Sequence, residues 1–207
     1  MIRMDGIKWL FFDVGSTLVD EHLAYEHRFR DIAVAANTSF ERVYEIAMSF
    51  YRQNKKGDLE TAKLLNVPLT QWHGEDERLY ADARSCLEAL SMRYKIGILA
   101  NQLPGTRQRL AQHGLLPYID LVVASAEEGV SKPDKRIFEI ALERSHCHPG
   151  QAVMIGDRVD NDILPAKSLG MRTVWIRQGF GQYWNVTREA ERSDRVVSSL
   201  SELCDIL

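Results

Sequence analysis

The sequence predicts an α/β fold: a Rossmann-like, doubly wound parallel sheet carrying a small all-helical cap. Three observations predict it. Several short runs rich in β-branched and aromatic residues are apolar throughout rather than alternating, as strands covered on both faces are. Helical patterns separate these runs, the alternation that βαβ units produce. One long stretch, 22–80, shows amphipathic helical patterns and no convincing strand.

Strands are expected at 8–12, 95–99, 120–124, 152–155 and 172–176, with a weaker one at 195–197. A helix over 83–94 precedes the second strand. Pro104 and Gly105 open a helix that runs to Gln112, and Gly114 closes it. Ser131-Lys132-Pro133-Asp134 has the S-x-x-D form of a capping box, followed by R-I-F-E-I-A-L-E-R at helical period. Asn161 is the expected N-cap of a helix over 162–169, stopped by Gly170.

Within the insert, helices are expected at 23–36, 40–52 and 59–65, punctuated by Asn37-Thr38-Ser39, Gly57-Asp58 and Pro68. Met48, Phe50 and Tyr51 belong to its packing. An insert at this point would cover the carboxyl edge of the sheet, where open α/β sheets bind ligands. The other reading is a bundle that only buries one face. The expected division is a core of residues 1–20 and 82–207 and a cap of residues 21–81.

The chain of 207 residues suits one core with an accessory unit. Its 45% apolar and 27% charged content is that of an ordinary globular protein. With 26 basic against 29 acidic residues and a net charge of -3, no global field favours nucleic acid or an anionic membrane. No apolar run approaches the roughly 20 residues that span a bilayer. Cys86, Cys147 and Cys204 are far apart and lack C-x-x-C spacing, which suits reduced thiols in the cytoplasm. His146-Cys147-His148 has no second ligand pair with which to hold zinc. A monomer or homodimer is expected.

Four features follow predicted strands, and in a doubly wound sheet those loops converge on one crevice. They are Asp13-Val14-Gly15-Ser16-Thr17, Ala100-Asn101-Gln102, Lys132 in G-V-S-K-P-D, and G-D-R-V-D-N-D at 156–162. Asp13 and Asp157 would repel unless a cation lay between them, and hard oxygen ligands suit Mg²⁺. Lys132 is a compact cation complementary to a phosphoryl group. Ser16, Thr17 and the amides of the glycine-containing turn could donate to its oxygens. Together these groups describe phosphoryl transfer, with a carboxylate available to attack phosphorus.

D-V-G-S-T-L, I-L-A-N-Q, S-K-P-D-K-R-I-F and G-D-R-V-D-N-D-I-L-P-A-K-S-L-G-M resemble motifs I to IV of the haloacid dehalogenase superfamily, in the branch whose helical cap follows motif I. The likeness covers almost the whole chain. It implies that Asp13 is the nucleophile of an aspartyl-phosphate and also a Mg²⁺ ligand, with the Gly15 carbonyl and Asp157 as further ligands. Lys132 would neutralise Asp13 and the phosphoryl oxygens, while Asp162 would hold a metal-bound water or orient Lys132. Ser16, Thr17, Ala100, Asn101 and Lys132 would form the phosphate-binding positions, and the substrate would be a small phosphorylated metabolite.

Two departures from that pattern stand out. The family's phosphatases carry a second aspartate two residues after the nucleophile, which protonates the leaving group and then activates water; Gly15 can do neither. The hydroxyl residue usually before the motif II asparagine is Ala100 here. Acid–base catalysis contributes ~10²- to 10⁴-fold, so plain alkyl monoesters should turn over slowly and substrates with good leaving groups should suffer less. Asp20 and Glu21 could substitute, although solvated hinge acids are the simpler expectation.

Two further readings remain open. One is a phosphonatase-like hydrolase, for which Lys55, Lys56 and Lys63 are the available imine-forming candidates by location. The other is a non-catalytic module that binds phosphate or a partner, although the retained charges Asp13, Lys132, Asp157 and Asp162 are costly for a scaffold. Cleavage of a carbon–halogen bond fits less well, because the family's dehalogenases do not keep G-D-x-x-x-x-D. Trp72-His73-Gly74 could meet substrate or pack the cap, and Gly179–Trp184 could line the rim or form a subunit contact.

Overall fold

The computed structural model describes residues 5–207. In it, β1 (Trp9–Phe12) is central to the larger sheet, with β4 (Lys95–Ala100) and β5 (Leu121–Ala124) on one side. On the other side lie β6 (Ala152–Gly156), β7 (Arg172–Ile176) and β8 (Arg195–Val197). The six strands run parallel in the order β5-β4-β1-β6-β7-β8. All expected strands are present, including the weak last one.

The apolar runs form buried strands because each face is covered. Leu10, Phe11 and Phe12 are fully buried. Leu10 and Phe12 pack on one side with Leu87 and Leu90 of α4 (Ala83–Ser91) and with Leu200 and Leu203 of α9 (Leu200–Ile206). Phe11 packs on the other with Ile137 and Phe138 of α7 (Lys135–Ser145). Burial of each such side chain contributes ~1.5–3 kcal/mol. Two-residue alternation thus splits one strand between two cores.

Helix termini depart from the sequence expectations in two places. Asp134 rather than Ser131 caps α7, its side chain accepting from the Arg136 amide, while Ser131 closes the preceding turn through its carbonyl to the Asp134 amide at 3.0 Å. Asn161 does not cap a helix. It lies inside a π-helical turn, Val159–Ile163, that leads into the short α8 (Leu164–Ser168). The Arg158 carbonyl receives both the Asp162 and the Ile163 amides, a widening of the helix that is characteristic of functional positions. The other short helices are α5 (Thr106–Gln112) and α6 (Ser125–Glu128).

The insert holds α1 (His22–Ala35), α2 (Phe40–Tyr51) and α3 (Gly57–Leu64), which close a small core around Phe29, Ile32, Val43, Ala47, Met48, Tyr51 and Ala62. Phe50 stays outside it, beneath Lys55. The stretch is not free of strand, as the sequence pattern had suggested. A two-residue strand, β3 (Arg78–Leu79), pairs antiparallel with β2 (Val19–Asp20), so the chain enters and leaves the insert through one ribbon. Two-residue strands carry no periodicity to detect.

Phe180 of the loop after β7 joins the core of the insert. Its ring stacks on Tyr51 at 4.3 Å and meets Tyr25 edge-on at 4.9 Å. Asn54 and Asn185 exchange side-chain-to-backbone hydrogen bonds of 2.8 and 2.7 Å nearby. Among the described residues no helix is long and apolar enough to cross a membrane.

Candidate active site

The parallel register sets the site. Phe12 pairs with Ile98 of β4 and Ile155 of β6, so Asp13 leaves β1 beside the ends of both strands. The sheet reverses its winding between β1 and β6, the crevice where such sheets take ligands. The Asp13 amide still donates to the Ile155 carbonyl at 2.9 Å, which holds the residue at the strand end. Asp157 follows β6 directly, its carbonyl fixed by the Trp175 indole at 2.8 Å.

Lys132 joins the two halves. Its ammonium donates to Asp162 Oδ1 at 2.6 Å and contacts Asp13 Oδ1 at 2.9 Å, and its side chain is almost completely buried. The other oxygen of Asp162 accepts from the Arg158 amide at 3.0 Å. Asp162 is wholly buried with both oxygens engaged, an arrangement that fixes Lys132. Burial opposes the charge on Lys132, but Asp13 and Asp162 outweigh it and hold the ammonium above its ordinary value.

Asn101 acts on Lys132 as well. Its amide bridges the Lys132 backbone, accepting from N and donating to O, each at 2.8 Å. The expected phosphate positions therefore separate. Ser16 and Asn101 line a chamber of about 260 Å³ with Asp13, Gly15, Lys132 and Asp157. Thr17 and Ala100 are fully buried and do not line it. The Thr17 amide is spent on the Val14 carbonyl, and its hydroxyl has no hydrogen-bond partner among the described residues.

Carboxylate oxygens of Asp13, Asp157 and Asp162 lie within 4.8 Å of one another. Three acids facing one ammonium leave an excess of negative charge in a dry place. Asp157 responds most: burial, then Asp162 and Asp13, push its carboxyl well above the usual range. Burial raises Asp162 to about 6 although Lys132 opposes the rise. A hard divalent cation would relieve this repulsion, and the all-oxygen donor set fits Mg²⁺.

Glu21 is not a solvated hinge acid. It lines the same chamber, and its Oε2 accepts from Ser16 Oγ at 2.9 Å. Burial raises its carboxyl to about 8, against the pull of Ser16, with Glu77 and Asp13 adding to the rise. Asp20 instead accepts from the His22 amide. Of the three candidate lysines only Lys56 lines the chamber, and it is exposed.

The chamber opens to a cleft of about 680 Å³ that shares Glu21, Tyr25, Arg28, Asn101 and Gln102 with it and adds Trp72 and Arg109. Trp72 thus faces the cleft, its indole donating to Glu77 at 2.6 Å. Arg28 was not singled out by any motif. Its guanidinium pairs with buried Asp58 at 2.8 Å and lies 4.6 Å over the Trp72 ring, with Nε lacking a hydrogen-bond partner among the described residues.

The fold is a Rossmann-like α/β sheet with acids and a lysine gathered at its switch point. The model of the haloacid dehalogenase-like hydrolases matches residues 7–170, and the chain belongs to that family. A glyceraldehyde 3-phosphate phosphatase of Methanocaldococcus jannaschii is 37% identical across 97% of each chain. One of Pyrococcus furiosus is 31% identical across 99% of this chain and 94% of its own. The crystal structure of a HAD phosphatase from Thermococcus onnurineus superposes with a TM-score of 0.64 at 28% identity, over 97% of each chain.

Proposed function

We propose that the protein is a Mg²⁺-dependent phosphatase of small phosphorylated metabolites that works through an aspartyl-phosphate on Asp13. One observation carries this reading: Asp13 Oδ1 lies 2.9 Å from a lysine that Asp162 and Asn101 hold in place. Asp13, Asp157 and the Gly15 carbonyl would hold the ion, with Asp162 set behind them. When bound, Mg²⁺ would supply positive charge to the phosphoryl oxygens and let a carboxylate approach an anion.

The chain's own groups account for the rest. Lys132 draws the phosphoryl group toward Asp13 and spreads its charge. Backbone amides of the motif I turn orient its oxygens. Attack by Asp13 on phosphorus releases the alcohol, and water then hydrolyses the acyl phosphate. The helical insert acts as a cap over this reaction, and Lys56 and Arg109 are basic groups that line the cavities. Relatives matched along nearly their whole length make glyceraldehyde 3-phosphate the first substrate to test. Three free thiols suit a reducing, cytoplasmic setting.

The test is phosphate release from a panel of sugar, amino-acid and aryl phosphates with and without Mg²⁺, beside Asp13→Asn. Release that needs both Mg²⁺ and Asp13 supports the reading. A protein that binds phosphate but releases none from any compound would instead be a non-catalytic module. Trapping of Lys56 by borohydride with a phosphonate aldehyde would favour the imine chemistry.

A further inference from the structure

The carboxyl absent at position 15 has a counterpart in space. A Cβ built on Gly15 would lie 2.3 Å from Glu21 Oε1 and 2.8 Å from Glu21 Oε2, both far inside van der Waals contact. The Glu21 side chain therefore occupies the volume in which a residue-15 side chain would begin. It would have to shift from this position if residue 15 had a Cβ. The two features form a pair: a glycine beside the nucleophile, and an acid that reaches over it from six residues downstream.

Local structure holds Glu21 there. It follows β2, the strand tied to β3 at the mouth of the insert, and its carbonyl accepts from the Tyr25 amide at 2.9 Å as α1 begins. Ser16, whose backbone adopts a left-handed conformation with φ of 52°, turns its hydroxyl onto Glu21 Oε2 at 2.9 Å. Oε1 makes no hydrogen bond among the described residues, and the chamber it borders contains Asp13 and Lys132. A carboxyl so fixed borders the chamber in which a phosphoryl group on Asp13 would lie.

We propose that Glu21 is the proton-transferring catalytic residue of this enzyme, supplying from the base of the insert the carboxyl that position 15 lacks. This rests on the phosphatase reading given above. As Asp13 forms its bond to phosphorus, the ester P–O bond breaks and the Glu21 proton passes to the leaving alkoxide. In the second half, Glu21 as carboxylate takes a proton from the attacking water while the P–O bond to Asp13 breaks. Asp13 and protonated Glu21 are both regenerated, so the cycle needs no other proton donor.

Leaving-group dependence tests the assignment, since an alkyl alcohol needs a proton and a nitrophenolate does not. Glu21→Gln should lower kcat/KM for a sugar phosphate by ~10²- to 10⁴-fold and for p-nitrophenyl phosphate by less than ~10-fold. A Glu21→Ala/Gly15→Asp double variant should regain sugar-phosphate turnover at least ~10-fold over Glu21→Ala. Gly15→Asp alone should gain little, because Glu21 already supplies the proton. Equal losses on both substrates in Glu21→Gln, or no recovery in the double variant, would overturn the role of Glu21. Should Glu21→Gln not fold, the comparison of the double variant with Glu21→Ala decides alone. If the wild-type protein releases no phosphate from either ester, the phosphatase reading fails first, a result distinct from an unchanged selectivity.

Discussion

Asn101 grips the peptide unit of Lys132 from both sides, its Oδ1 receiving the Lys132 amide and its Nδ2 donating to the Lys132 carbonyl, each at 2.8 Å. The residue that follows β4 thereby sets where the ammonium points, although its own side-chain atoms are spent on backbone. Asn101→Ala leaves two backbone groups without these partners, at a cost of ~1–3 kcal/mol. Urea unfolding should register that loss, and kcat should fall ~10-fold or more as Lys132 loses its register with Asp13. Unchanged kcat would mean that Lys132 is held by Asp162 alone.

Lys132 is the one ammonium against two carboxylates, one of them fully buried. Lys132→Met should destabilise the fold by ~3–5 kcal/mol, because an unpaired buried charge is left behind. Adding Asp162→Leu should restore much of the stability without restoring activity. Thermal unfolding and a turnover assay on the single and double variants separate the two contributions.

Metal dependence should be legible in stability as well as rate. Mg²⁺ at one hundred times its Kd stabilises by about 2.7 kcal/mol, so chelation should lower Tm measurably. Asp157→Asn removes one of three mutually repelling acids. It should therefore raise the metal-free Tm while abolishing the Mg²⁺-induced rise. A variant still stabilised by Mg²⁺ to the wild-type extent would place the ion elsewhere.

At the edge of the insert, His73 Nε2 lies 2.7 Å from Asp31 Oδ2, and that contact raises the imidazole, burial opposing and Glu75 reinforcing it. The His27 ring stacks on His73 at 3.5 Å. Because the folded value lies above the unfolded one of about 6.5, the pair's contribution is complete below that pH. It disappears as pH rises through the folded value. An NMR titration should find His73 above 6.5 and lower in Asp31→Asn.

The larger sheet was legible because β1 and β4 to β7 are apolar runs ending in polar loops, and Asp13, Lys132, Asp157 and Asp162 each follow one of those ends at a fixed distance. Glu21 was not. Nothing in E-H-L-A-Y tells that the carboxyl turns inward, because its burial depends on the β2–β3 ribbon and on the missing Cβ of Gly15. The available signal was the coincidence of a glycine where an acid was expected and acids close behind it. Asn101 was found by its place, but its partner was not, since the Lys132 backbone is brought to it by a long-range turn. Arg28 lay hidden in an amphipathic helix whose pattern gives no sign of the Asp58 partner.

The identity of the nucleophile is tested most directly by acid-quenching the Mg²⁺-loaded enzyme during turnover and mapping any covalent phosphoryl group by mass spectrometry. The account predicts one phosphoryl group on the Asp13 carboxylate, absent in Asp13→Asn together with activity. A phosphorylated residue elsewhere, or full turnover by Asp13→Asn, would contradict it.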